Sequence, residues 1–194
     1  MQQAPRRIVT GHDVDGNAII SIDDHCITVG RSPAQPDLRV YEMWETSGMP
    51  VLLGNDPDPT HHSFRIQPKT NGLVVRVADI PPDTPDIMGS DAAKRYFESL
   101  GAGDASTSTT ESKPPHPFMH RTETIDFGIL IEGTFTLILD NTEVTLRPGD
   151  VVVQRGTNHA WSNRSGSVAR IAFILLDGKY EEELDSRFRN RAGH

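Results

Sequence analysis

The sequence predicts an all-β protein, a meander of short antiparallel strands with minor helix. Three observations carry that expectation. Apolar and polar residues alternate with a period of two over several short runs, which is the side-chain period of a strand. Turn signals, Asp15-Gly16 and Asp140-Asn141 among them, lie between such runs. Helix-forming sequence is confined to two places, residues 90–100 and the charged C-terminal stretch.

Taken in order, residues 7–10 and 17–22 read as a hairpin around Asp15-Gly16, and 38–45 and 72–80 as further strands. None of these carries metal-ligand spacing. They are expected to extend the sheets of one barrel or to pair across a dimer, because exposed sheet edges need cover. Residues 81–115 change character: Pro81-Pro82-Asp83-Thr84-Pro85, a short helix over 90–100 with Ser90 as N-cap, then Gly-, Ser- and Thr-rich sequence to Lys113-Pro114-Pro115. This stretch is expected at the barrel mouth as a surface insertion, with a lid as the alternative. The apolar run Ile129 to Gly133, the alternating run Thr134 to Leu139 and the Asp140-Asn141 turn form a strand meander. The charged tail, 179–194, is expected to form a helix through Glu181 to Leu184 or to fray. The whole, 1–194, reads as one domain: N-terminal strands 1–80, insertion 81–115, core 116–178 and tail 179–194.

A chain of 194 residues can bury a substantial core, and its net charge of -8 gives no footprint for nucleic acid or an anionic membrane surface. No helix-turn-helix pattern accompanies it. Cys26 is the only cysteine, so no intrachain disulfide is possible. The first residues lack the apolar core of a signal peptide, and no run approaches the roughly 20 apolar residues of a membrane span. A cytoplasmic protein that takes a small-molecule substrate is the expectation.

The chemistry concentrates in residues 119–163. Met119-His120-Arg121-Thr122-Glu123-Thr124-Ile125-Asp126 is followed by Gly133, and later by Gly149, Gln154, Gly156, His159 and Asn163. In spacing this resembles the two motifs of the cupin family. The first motif sets two histidines one residue apart, then a glutamate, then a glycine. The second runs glycine, proline, glycine, histidine, asparagine. His120 takes the first histidine place, Thr122 the second and Asp126 the glutamate place. Gln154 stands for the proline, and the stretch from Gly149 is one residue short. The resemblance implies a jelly-roll-like barrel with its site inside, and dimerisation.

Side chains at even offsets on a strand share a face, so His120, Thr122 and Asp126 are expected to point inward together, as are His159, Trp161 and Asn163. Leu130, Val151, Val153, Trp161 and Phe173 are candidate walls, with facing undecided. Two histidines and a carboxylate suit a divalent metal, zinc or iron(II), held by His120, Asp126 and His159. Thr122 removes one customary ligand, and Asp126 is a methylene short, so a metal-free pocket stands equally open. Without metal the same three residues suit acid–base catalysis, with Thr122 hydrogen-bonding a substrate carbonyl. That chemistry is a lyase or isomerase reaction, such as dehydration or cyclisation, on an oxygenated metabolite. The alternatives are an iron-dependent dioxygenase and a ligand-binding protein without turnover.

Outside the motifs, Asn163 is expected to brace the barrel, and His61-His62 to sit in a solvated turn. His116 is a secondary candidate. Arg76, a charge within an apolar strand, is expected either to face water at an edge or to read an anionic or carbonyl substrate together with Thr122 and Trp161.

Overall fold

The structure is a computed structural model that describes residues 3–32, 35–88, 90–99, 105 and 114–192. Eleven strands and two helices follow in chain order. They are β1 (Arg6–His12), β2 (Ala18–His25), β3 (Thr28–Ser32), β4 (Gln35–Thr46), β5 (Leu73–Ile80), α1 (Ser90–Ser99), β6 (Thr124–Glu132), β7 (Phe135–Leu139), β8 (Glu143–Leu146), β9 (Val151–Arg155), β10 (His159–Ser162), β11 (Ala169–Asp177) and α2 (Glu182–Ala192). The expected hairpin, further strands and both helices are present. Residues 101–104 and 106–113, most of the Gly-, Ser- and Thr-rich stretch, lie outside the described residues.

A six-stranded antiparallel sheet, β3-β4-β5-β11-β6-β9, packs against a three-stranded one, β10-β7-β8, and the two are not joined into one closed ladder. Their facing sides form the core. Val40, Ala78, Leu130 and Ile171 of the large sheet meet Phe135 and Leu146 of the small one. Strand pairing carries side chains of one phase across the large sheet in rows. One row runs Glu42, Arg76, Phe173, Gly128, Val152; the next runs Glu45, Val74, Leu175, Asp126, Gln154. Both rows face inward, so charged residues are built into the interior beside apolar ones. At the β9 edge the opposite phase is exposed: Val151 and Val153, candidate walls, face outward, and Leu130 lies in the packed core.

Gly128 lies where a side chain would collide with the neighbouring sheet. A Cβ there would come within 3.2 Å of the Trp161 ring, which stacks on Phe135 at 5.5 Å. The glycine therefore lets Trp161 reach across the core.

The loop between β4 and β5 closes one end of the interior. It is anchored to the N-terminal hairpin through Arg7, which pairs with Asp24 at 2.7 Å and Asp58 at 2.6 Å. At the other end α1 lies over the opening, with Ala93 and Phe97 buried at helical spacing. The C-terminal helix α2, with Glu182, Glu183 and Asp185 in its first turn complementing the helix dipole, packs outside the motif strands. Its Phe188 meets Tyr180 edge to face, and the Arg121 guanidinium lies over the Phe188 ring, 3.6 Å from its centroid. Among the described residues no helix is long and apolar enough to cross a membrane.

Candidate active site

His120 lies just ahead of β6, yet its backbone pairs with His159: His120 N–H donates to His159 O at 2.8 Å, and His159 N–H to His120 O at 2.9 Å. That bridge sets the two imidazoles side by side, 4.2 Å between centroids. They open onto a cavity of about 180 Å³. Its walls are mostly aromatic and aliphatic: Phe64, Tyr96, Phe97, Phe118, Trp161 and Phe173 supply the rings. A cavity of ~150 Å³ can hold benzene, so this one has room for a single-ring body or an equivalent chain. Thr122, Asp126, Asp83 and Arg76 also reach the lining.

The insertion therefore does more than cover the surface. Tyr96 and Phe97 of α1 form part of the wall, and Phe97 lies 5.3 Å from the His120 ring. Burial pushes the Tyr96 phenol up to about 12, so it keeps its proton.

Both histidines are held neutral, since enclosure in the apolar cavity disfavours the charged ring. It lowers the pKa of His120, and that of His159 well below its ordinary value, where the neighbouring His120 adds repulsion. The proton on each ring is set by what Nδ1 touches. In His120, Nδ1 faces the Phe118 carbonyl at 3.0 Å, so it carries the proton and leaves the Nε2 lone pair bare. His159 has two partners of opposite demand. Its Nδ1 lies 2.9 Å from the Thr157 carbonyl, which takes a proton, and 2.7 Å from the Gln154 amide nitrogen, which offers one. Gln154 is itself oriented, because its oxygen accepts from Gly156 N–H at 2.8 Å and its nitrogen donates to Thr157 O at 2.8 Å. His159 can therefore hold its proton on either nitrogen. Gln154, at the proline place of the motif, was not singled out as a contact; its inward phase on β9 was the available signal.

Asp126 behaves in the opposite sense. Burial pushes its pKa up to about 6, against smaller pulls from the Thr124 hydroxyl and Arg76, and its Oδ1 has no hydrogen-bond partner. The Thr124 hydroxyl lies 2.8 Å from the Thr122 hydroxyl. Either threonine can donate in that pair, and the two hydroxyls lie along the strand beside the carboxylate. Thr122 lines the cavity with its hydroxyl against that of Thr124.

Arg76 takes the inward of its two expected placements. It lies mid-sheet, 5% exposed, and so does not face water at an edge. Its Nε donates to Glu42 at 3.0 Å, Nη1 to Ile66 O at 2.7 Å and Nη2 to Arg65 O, with Phe64 against its face. With each nitrogen held by a partner, the guanidinium is fixed in place at the loop end of the cavity, which it lines. Asn163 braces the fold as expected, its amide donating to Ile80 O and Ser167 O. His116 is buried beside Asp83, 3.8 Å from its carboxylate. His62 departs from the solvated turn: its Nε2 lies 2.8 Å from Glu42.

A metal needs its donors to converge. Among the described residues, the one group of three His, Cys, Asp or Glu side chains whose ligand atoms lie within 4.8 Å of one another is Glu42, Glu45 and His62. His120, Asp126 and His159 share a cavity without meeting that condition. The Thr122 hydroxyl, at the missing ligand's place, is turned to Thr124. As arranged, His120, Asp126 and His159 do not bring three ligand atoms within that distance of one another.

The sequence matches the Cupin_2 family, described as a cupin domain, over residues 108–179. It is 33% identical over 189 residues to phomopsin biosynthesis cluster protein C' of Diaporthe leptostromiformis, covering 91% of this chain and 80% of that one. A cupin-domain-containing oxidoreductase of Neurospora crassa, srdD, is 44% identical over 154 residues, 76% of this chain and 77% of its own. Another so named, virC of Hypocrea virens, is 31% identical, covering 89% of this chain and 76% of its own.

Proposed function

This chain belongs to the cupin superfamily, and from that premise we propose that it is a lyase or isomerase moving protons on an oxygenated small molecule inside the barrel. One observation carries the reading: two neutral imidazoles and a carboxyl group whose pKa is raised to about 6 line one apolar cavity. The environment brings acid and base toward inverted roles. His120, its lone pair bare at Nε2, acts as base and removes a proton from carbon. Asp126, in its protonated fraction, returns one to a leaving or carbonyl oxygen. His159, able to hold its proton on either nitrogen, relays between them. Phe97 and Tyr96 exclude water, and Trp161 and Phe173 hold an apolar body in place. The name of a relative, a biosynthesis cluster protein, supports a biosynthetic substrate, and the cavity volume supports one ring or an equivalent chain. The N-terminal hairpin, with Ile8, Ile19 and Ile20 exposed, supports a homodimer contact, which light scattering on the purified chain tests.

The relatives named oxidoreductases favour a second reading, metal-dependent oxidation. The two separate in one experiment. A panel of aromatic and alkyl carbonyl compounds with an acidic C–H is incubated with the protein in D₂O, with and without EDTA, under an oxygen electrode. Deuterium uptake or loss of water that survives EDTA and disappears in Asp126→Asn supports proton transfer. Oxygen consumption abolished by EDTA replaces it with oxidation.

A further inference from the structure

Behind the Arg76 wall, away from the two histidines, lies a second polar cluster. Glu42 and Glu45 project inward from β4, with side chains 0% and 1% exposed, and His62 comes over them from the loop. His62 Nδ1 lies 2.7 Å from Ser63 O and so carries a proton, which in the neutral ring leaves Nε2 presenting a lone pair. That lone pair meets carboxylate oxygens, Glu42 Oε1 at 2.8 Å and Glu45 Oε2 at 3.5 Å. Two electron-rich atoms at 2.8 Å repel unless something positive lies between them. A hydrogen bond is not that something, since His62 Nε2, Glu42 Oε1 and Glu45 Oε1 are all buried without a hydrogen-bond partner. Glu42 Oε1 lies close to Nε2 yet off the direction a ring N–H would take. Two ligands side by side on one cation have this geometry, because the ion occupies the lone-pair axis and the second ligand sits beside it.

We propose that Glu42, Glu45 and His62 form a binding site for a divalent transition metal, zinc-like in its preference for one imidazole and two carboxylates. Neighbouring charges decide its strength. Arg76 stays on Glu42 Oε2, where it braces that carboxylate. Arg65 and Lys69 lie on Glu45, each at 2.5 Å, with side chains 41% and 46% exposed. Both are long enough to turn to solvent, and Lys69 Nζ touches Glu45 Oε1 without hydrogen-bond geometry. The ammonium thus holds the place that a metal would take, and the two compete. An ion here joins β4 to the loop that supplies Phe64 and Ile66 to the cavity, so it clamps the end wall and takes no part in the proton chemistry. A metal equivalent measured on this protein would therefore not by itself report on His120 and His159.

The test uses the full chain stripped with chelator, then titrated with Zn²⁺ by calorimetry and with Co²⁺ by visible absorption. The parent is expected to bind one equivalent, and the double variant His120→Ala/His159→Ala to bind it equally well. Binding should weaken at least tenfold in His62→Ala and in Glu45→Gln, each checked for fold by circular dichroism, and should tighten in Lys69→Ala. The signs of the His62 and Lys69 effects are opposite, which a salt-bridge cluster without a metal role does not produce. No binding by the parent, or binding lost in the double variant and unchanged in His62→Ala and Glu45→Gln, would overturn the proposal.

Discussion

Replacing Asp126 with asparagine should strengthen the fold while disabling the site, and the gain should depend on pH. Asp126 is 6% exposed, and its pKa is raised from 3.8 to about 6. The native state therefore holds this proton more tightly than the unfolded chain does. Below about pH 4 both states are protonated and the residue has no pH-linked effect. Between about pH 4 and about 6 the unfolded chain ionises first, so stability falls as pH rises, and above that window the loss is constant. A shift of roughly two units at about 1.4 kcal/mol per unit corresponds to about 3 kcal/mol. Neither histidine owes its own shift to Asp126, so the difference between the two proteins isolates this residue. Urea unfolding should place parent and Asp126→Asn close together at about pH 4 and separate them by up to about 3 kcal/mol, variant more stable, at about pH 8. Turnover should fall by about 10²–10⁴ in the same variant, the usual size of a lost general acid. A stability difference that does not change with pH, or a variant less stable at high pH, would refute the reasoning.

Gly156→Ala should cost about 2 kcal/mol or more in urea unfolding, since the residue has φ +59 and the new Cβ would lie 2.7 Å from the Tyr180 ring. Gly16→Ala, at φ +82 with nothing within 4 Å, should cost only about 1 kcal/mol and serves as the control. Arg76→Met leaves Glu42 buried without its partner and should cost about 3–5 kcal/mol, read as a drop in denaturation midpoint. Gln154→Leu removes the amide from His159 Nδ1 and should lock that proton toward Thr157 O, visible as a single tautomer in ¹⁵N spectra of the ring. It also strands the Gly156 N–H, at about 1–3 kcal/mol.

The residues of the cavity were legible where spacing alone decides facing. His120 and His159 stand at motif positions, and Trp161 follows His159 by two on the same strand face, so all three could be read as cavity-lining. Period two fixes which residues share a face without saying which face is inside, and for that reason Val151 and Val153 were candidate walls yet lie outside. Tyr96 and Phe97 reach the site only because α1 folds back over the opening, a long-range placement that helix propensity does not encode. The Glu42–Arg76 pair had a signal of its own. Leu38, Val40 and Glu42 alternate along one strand, and Val74, Arg76 and Ala78 along another. Two opposite charges at the inward phase of neighbouring strands suggest an interior ion pair, but the strand order that makes them neighbours is a property of the sheet.

The departures from the cupin pattern fall together in space. Thr122 stands for a histidine, Asp126 for a glutamate and Gln154 for a proline, and along the sequence they look like three independent losses. In the sheet Asp126 and Gln154 are directly opposite one another across β6 and β9, and Thr122 reaches Asp126 through the Thr124 hydroxyl. Gln154 in turn touches His159, which is paired to His120. The replaced positions thus surround the two conserved-in-place histidines with groups that give and accept hydrogen bonds. A histidine at 122 would bring a third imidazole where the threonine hydroxyl now lies, and a proline at 154 would leave His159 Nδ1 with Thr157 O alone. On the reading proposed here the three exchanges act as one: they hand a site built around metal ligands over to proton transfer, with burial leaving Asp126 a protonated fraction near neutrality and holding His120 neutral with its Nε2 lone pair free.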